Sequence, residues 1–292
     1  MASALIKKGF NKIKDYGELV MFSHTLFSLP FALMAMFIAA EGLPEGRIVF
    51  WILVALFAGR NAANALNRYV DAEYDKKNPR TSGRHIPSGR IKKYEPLIIT
   101  VILYGIFVFS AWMINNICFY LSPVALLLFT LYSYTKRFTW LCHVVLGATC
   151  AGAPVGAWLA VRGEFDIVPL IFGVIVTLWV GGFDIIYGTQ DIDFDRKEGL
   201  HSIPAKFGLK GALWISRIFH LIMWAMLLIL YFITSLSYIY LIGVFISGLL
   251  LMLEHYIVDP EHKNIMNLAS YNINQIISMI LLVVVVLDIF II

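Results

Sequence analysis

Five carboxylates and one amide recur at helical spacing in an otherwise apolar chain. The stretch "NRYVDAEYD", residues 67–75, places Asn67, Asp71 and Asp75 four residues apart. On an α-helix such residues share one face, about one turn from each other. Further on, "DIIYGTQDIDFDRKEG" begins at Asp184 and repeats the spacing with Asp191 and Asp195. Asp184 lies seven residues before Asp191, on the same face, with Tyr187 between them. Like charges in this arrangement repel by a few tenths of a kcal/mol on an exposed helix. Near a membrane core the cost rises unless a cation neutralises them. Mg²⁺ suits such a place, because it takes one or two carboxylates together with waters and phosphate oxygens. Two stripes facing each other across a cavity would hold two such ions around a diphosphate. One DxxxD alone is common as a solvated helix face; the pair at matching positions is what points to metal. A calcium loop is excluded, because Arg196 stands where an EF-hand needs Gly and Ser202 where it needs the bidentate Glu.

Positive groups accompany the acidic ones. Arg80 and Arg84 follow the first stripe in "NPRTSGRHIPSGR", where Gly83, Pro87 and Gly89 shape a loop. "YSYTKR" puts Tyr132 and Lys136 on one helix face, with Arg137 adjacent. These groups either complete a diphosphate clamp or simply orient the helix end in the membrane. Arg60 lies seven residues before Asn67, inside an apolar run. A charge there faces a cavity or a partner, so Arg60 either pairs with Asp184 or holds an anionic substrate group. His24, in "FSHTLFSLPF", faces either the cavity or a structural hydrogen bond, and Asp288 has no assignment.

The elements that must carry these residues are membrane helices. The 292-residue chain is 60% hydrophobic and 14% charged, against about 25% charged in soluble domains. So much apolar surface needs the bilayer as solvent, and the runs are too long and continuous for a β-barrel. The expected fold is all-α and polytopic, with nine spans near 19–41, 48–68, 95–113, 117–134, 140–161, 166–187, 211–233, 236–256 and 272–292. The first is read as a retained helix with a basic lead-in, Lys7 to Lys14, rather than a cleaved signal. With sides alternating, 19 of the 23 Lys and Arg fall on the face of the N-terminus and the two long loops, 69–94 and 188–210. Only Arg47 and Arg162 lie opposite. The positive-inside rule therefore places the N-terminus and both loops in the cytoplasm. The net charge of +4 gives no reason to invoke nucleic acid. Cys118, Cys142 and Cys150 sit in apolar surroundings without a CxxC pair, as core or lipid-facing residues.

The paired motifs resemble those of the UbiA family of intramembrane aromatic prenyltransferases. "NPRTSGRHIPSG" is similar to that family's loop, and "FSHTLFSLPFAL" to its opening, so the resemblance covers nearly the whole chain as a single domain, 1–292. It implies helices around a central cavity, capped by the two long loops, in an integral membrane protein of a bacterial inner membrane. It implies Mg²⁺-dependent transfer of a polyprenyl group from a polyprenyl diphosphate to an aromatic acceptor, 4-hydroxybenzoate or a related quinone precursor. A closely similar subgroup serves the futalosine route to menaquinone. On that resemblance Asn67, Asp71, Asp75, Asp191 and Asp195 hold metal. Arg80, Arg84, Tyr132 and Lys136 contact diphosphate, and Arg60, Asp184 and Tyr187 line the cavity. Asp71, Asp191 and Arg137 are the expected catalytic residues, with Arg137 toward the acceptor's carboxylate and Asp191 toward its phenol.

A reading from another class, an ion-coupled secondary transporter, would place its carboxylates near the midplane at broken helices. Here they cluster at one interface beside Arg and Lys. A phosphatidyl-transfer enzyme is excluded by the absence of its single DG…AR…G…D…D run.

Overall fold

A computed structural model describes residues 15–19, 25–259 and 262–291. His24 and the four N-terminal lysines lie outside the described residues. The helices are α1 (Thr25–Ala40), α2 (Gly46–Lys77), α3 (Glu95–Ile114), α4 (Asn116–Thr135), α5 (Cys142–Arg162) and α6 (Ile167–Gly188). After a 3₁₀ turn, Thr189–Asp191, come α7 (Ile192–Lys197), α8 (Ile203–Ile233), α9 (Tyr238–Ile257) and α10 (Lys263–Asn267). A π-helical turn, Leu268–Ile273, then leads into α11 (Asn274–Ile291). No strand occurs among the described residues. Among the described residues, eight helices are long and apolar enough to span a membrane, with a ninth, shorter apolar helix over Leu29–Ala40. The all-α polytopic fold is therefore as expected.

Local chemistry sets the boundaries. α2 runs 32 residues, past its apolar stretch, so that the Asn67–Asp71–Asp75 stripe continues the span as helix. Lys76 and Lys77 oppose the negative end of its dipole. It stops at Asn78, held extended by the Pro79 that follows. α8 starts eight residues before the apolar run that signals it, because Ser202 caps Ala205 N–H and Pro204 sits in the first turn. Gly208, at φ 70°, breaks that helix once.

The core joins α1, α5, α6, α8, α9 and α11 through Phe31, Trp158, Phe172, Trp179, Leu227, Tyr240 and Leu281. α5 and α6 approach so closely that a Cβ on Gly147 would collide with the Thr177 carbonyl. On the outside, Trp112, Leu127, Trp214, Leu221, Phe245 and Met252 are exposed, as suits an integral membrane protein whose surround is lipid.

Asp288, unassigned in sequence, has a structural role. Its carboxylate accepts from Ser237 N, Ser237 Oγ and Tyr240 N at 2.9–3.0 Å, so α11 supplies the N-terminal cap of α9. Asp288→Ala leaves those donors at the start of α9 without their carboxylate partner. It should destabilise the protein by about 2 kcal/mol, read as a lowered unfolding midpoint in detergent, with little change in substrate KM. An unchanged midpoint would show that the cap contributes nothing.

Candidate active site

The long connections meet at one end of the bundle. Lys77 pairs with Glu198 at 2.6 Å, and His201 N–H donates to the Lys136 carbonyl at 2.6 Å. His85, in the 78–94 loop, lies 3.2 Å from Glu18. These contacts draw the ends of α2, α4, α6 and α7 around a cavity of about 270 Å³. Asn67, Asp71 and Asp75 line it from α2, and Asp184, Tyr187, Asp191 and Asp195 from the α6–α7 side. The two acidic stripes thus share one chamber, together with Arg60, Arg80, Arg84, Tyr132 and Lys136.

Each carboxylate has a cationic or hydrogen-bonding partner. Arg80 grips Asp191 through two nitrogens, one of them Nε at 2.9 Å, and Asn78 Nδ2 adds a bond of 3.0 Å. Arg80 also donates to the Tyr187 hydroxyl at 2.7 Å, and its guanidinium carbon lies 5.0 Å from that ring's centre. Arg84 pairs with Asp75 at 2.6 Å. Asp195, fully buried, accepts from Ser202 Oγ at 2.7 Å and faces Lys136 Nζ at 3.6 Å. Asn67 Nδ2 donates to Asp71 at 2.8 Å, which leaves the Asn67 carbonyl oxygen for another partner. Tyr132 donates to the Ala63 carbonyl at 3.0 Å.

The cations stay charged. Burial opposes the charge on Arg80, but the hydrogen bonds and field of Asp191 outweigh it and raise its pKa. Burial likewise opposes the charge on Lys136, and Asp195, with help from Cys142, Asp191 and Asp184, raises its pKa above the usual lysine value. Both groups therefore remain cationic throughout the range in which an enzyme works.

Three expectations change in detail. Arg137 is not among the lining residues. Its guanidinium is used by Asp71 (3.0 Å), the Val70 carbonyl (3.0 Å) and the Ser133 carbonyl (2.7 Å), stacked near Tyr74 and Tyr134. In this arrangement it holds Asp71, while its neighbour Lys136 lines the cavity. Arg60 does not pair with Asp184; it donates to Cys150 Sγ at 3.2 Å, and its Nε is buried without a hydrogen-bond partner. Asp184 instead accepts from His143 Nδ1 at 2.7 Å. Asp191, with both oxygens engaged, is poorly placed to take a proton.

Sequence reasoning missed Asn78, His143, Trp179 and Tyr271, all of which line the cavity. Asn78 extends the first stripe by three residues, a usable signal. His143, Leu146 and Cys150 share one face of α5 at helical spacing, another signal. Tyr271 sits in the π-turn, which periodicity does not disclose.

A second cavity, about 310 Å³ and almost wholly apolar, lies between α2, α3, α4 and α5. It shares Arg60 and Cys150 with the first, so one polar and one apolar chamber meet at that pair.

Comparison with known proteins agrees with this arrangement. The model of the UbiA prenyltransferase family matches residues 28–276. A 4-hydroxybenzoate octaprenyltransferase of Vibrio cholerae is 30% identical over 222 residues, 75% of this chain and 77% of the relative. One from Tolumonas auensis is 31% identical over 192 residues, 66% of this chain and 67% of the relative. The apo structure of a UbiA homolog from Aeropyrum pernix K1 superposes with a TM-score of 0.83 at 28% identity, covering 91% of this chain and 98% of that one. A UbiA homolog from Archaeoglobus fulgidus, bound to GPP and Mg²⁺, shares the fold at a TM-score of 0.72 and 18% identity, over 94% of this chain and 99% of that one. With its paired acidic stripes around one chamber and a family match over most of its length, this chain belongs to the UbiA prenyltransferase family.

Proposed function

We propose that this protein transfers a polyprenyl group from a polyprenyl diphosphate to a carboxylated phenol such as 4-hydroxybenzoate, acting as a single unit over its whole length. The observation that carries the reading is the junction of the two chambers at Arg60. Polar groups fit for a diphosphate lie on one side and an apolar space fit for a hydrocarbon tail on the other.

Asn67, Asp71, Asp75, Asp191 and Asp195 offer only hard oxygen atoms, which fits a divalent cation. These five residues would hold Mg²⁺, which when bound neutralises charge growing on the departing diphosphate. Arg80, Arg84 and Lys136 serve the same charge from the protein side. Tyr132 and Tyr187 frame that region. In the reaction, a ring carbon of the acceptor forms a bond to the allylic carbon. The allylic C–O bond breaks with its electron pair on the diphosphate, and the ring loses a proton. Arg60, with a buried N–H to spare, receives the acceptor's carboxylate. Asp184, with one oxygen on His143 and its side chain partly open to the cavity, takes the proton in place of Asp191. Burial excludes water from the allylic cation.

The distribution of Lys and Arg supports a bacterial inner-membrane location with the loops cytoplasmic. The test is an assay of the purified protein in liposomes with prenyl diphosphate, Mg²⁺ and a panel of aromatic acids, with mass detection. A prenylated phenolic acid is the expected product. Its absence with every acceptor, alongside solute uptake by the same liposomes, would favour a transporter instead.

A further inference from the structure

A buried polar network lies behind the cavity wall, among α6, α8, α9 and the π-turn. Its centre is Asn274, fully buried at the first position of α11. The indole N–H of Trp179 can only donate, so the Asn274 atom 2.6 Å from it must be the oxygen. That orientation turns the Asn274 amide nitrogen toward Glu254 Oε1 at 3.0 Å. The same nitrogen reaches the Ala269 and Ser270 carbonyls of the π-turn at 3.3 and 3.4 Å. A π-turn leaves its carbonyls poorly matched to a regular ladder, and here one side-chain amide gathers two of them.

Behind Glu254 stands His220. A carbonyl can only accept, so His220 Nε2 donates to the Trp179 carbonyl at 3.3 Å. Its Nδ1 faces His255 Nε2 at 3.0 Å and Glu254 Oε2 at 3.7 Å. Gly182 makes this possible, because a Cβ there would strike the His220 ring. Trp179 is thus held at its indole N–H by Asn274 and at its backbone carbonyl by His220, while Glu254 Oε2, 3.7 Å from His220 Nδ1, has no hydrogen-bond partner among the described residues.

Both groups that the network fixes line the cavity. Trp179 packs against Phe183 with ring centres 5.4 Å apart, and Phe183 lies 6.5 Å from Tyr271. Tyr271 in turn meets Tyr187 edge-on at 4.9 Å, and Tyr187 accepts from Arg80. A continuous aromatic wall therefore runs from the network to the Arg80–Asp191 pair. Polar groups buried at this depth are costly, and a purely apolar contact would pack the same helices.

We propose that Asn274, its amide nitrogen held by Glu254, is a positioning residue that fixes Trp179 and the Tyr271 π-turn as the wall against which the allylic group reacts. This rests on the transfer reading above. Aromatic faces stabilise an allylic cation only if they are held against it. A loosened wall admits water, which attacks the allylic carbon, breaks the same C–O bond and releases a proton, giving prenyl alcohol and inorganic diphosphate.

The experiment measures both products, prenylated acid and prenyl alcohol, from the full-length protein in liposomes. Asn274→Ala is expected to raise the ratio of alcohol to prenylated acid by about tenfold, with the KM for prenyl diphosphate changed less than about twofold. Tyr271→Ala is expected to do the same, and the double variant to be no worse than Tyr271→Ala alone. Glu254→Leu should resemble Asn274→Ala, while Glu254→Gln, which keeps an oxygen for the Asn274 amide, should restore the ratio. A folded Asn274→Ala protein with the wild-type ratio, or an additive double variant, overturns the proposal. If Asn274→Ala does not fold, Asn274→Asp carries the comparison, since it keeps the acceptor for Trp179 and loses the donor to Glu254. A wild-type ratio in both Asn274→Asp and Glu254→Leu then overturns it equally. Wild-type protein that makes neither product would defeat the transfer reading itself, a result distinct from an unresponsive ratio.

Discussion

Asp191→Asn lowers kcat by about 10³-fold and leaves a folded, membrane-inserted protein. The amide keeps the volume of the carboxylate and an oxygen for Asn78, so the local shape survives. What goes is the charge that faces Arg80 and that a divalent cation needs. Asp71→Asn should act alike, because Asp71 stands in the opposite stripe of the same chamber, held by Asn67 and Arg137. Chelation of divalent ions should silence the wild type to a similar degree. The measurement is single-turnover product formation, with the unfolding midpoint as the control for folding. Wild-type turnover in either variant would remove the stripes from the chemistry.

Arg60→Leu is the second large effect. kcat/KM for a carboxylated acceptor should fall by about 10²-fold, carried mostly by KM. For the same phenol without its carboxylate, the variant should differ little from wild type. Arg60 sits in mid-span at the meeting of the polar and apolar chambers; among the described residues its hydrogen-bond acceptor is Cys150 Sγ, and it has a buried Nε to spare. A charge kept there without a carboxylate partner is costly unless a ligand meets it. Equal loss for both acceptors would mean that Arg60 holds the fold or the diphosphate instead.

Periodicity made much of this legible. Residues four apart on a helix must share a face, so Asn67, Asp71 and Asp75 were bound to line one side of whatever α2 enclosed. The same rule joined Asp184, Asp191 and Asp195, although a 3₁₀ turn at Thr189–Asp191 interrupts their helix. Long apolar runs located the spans because lipid leaves few other solutions for the backbone. Partner choice across helices was not legible. Whether Arg60 meets Asp184 or Cys150 depends on helix rotation, and His143, one span away, reaches Asp184 instead. The family resemblance placed Arg137 toward the acceptor, yet adjacent residues at a helix end point in different directions, and here Lys136 lines the cavity while Arg137 meets Asp71. The π-turn at Leu268–Ile273 and the Asp288 cap on α9 are tertiary events with no periodic trace.

The 32-residue length of α2 has a kinetic corollary. At about 1.5 Å per residue it reaches roughly 48 Å, against a hydrocarbon layer of about 30 Å, so its last turns stand above the oily layer while its middle lies within it. In the proposed reaction the polyprenyl diphosphate would then reach the cavity by lateral diffusion and the aromatic acid from water. Turnover should then follow the mole fraction of isoprenoid per lipid, and diluting the vesicles in buffer should leave it unchanged where diluting the isoprenoid with inert phospholipid slows it.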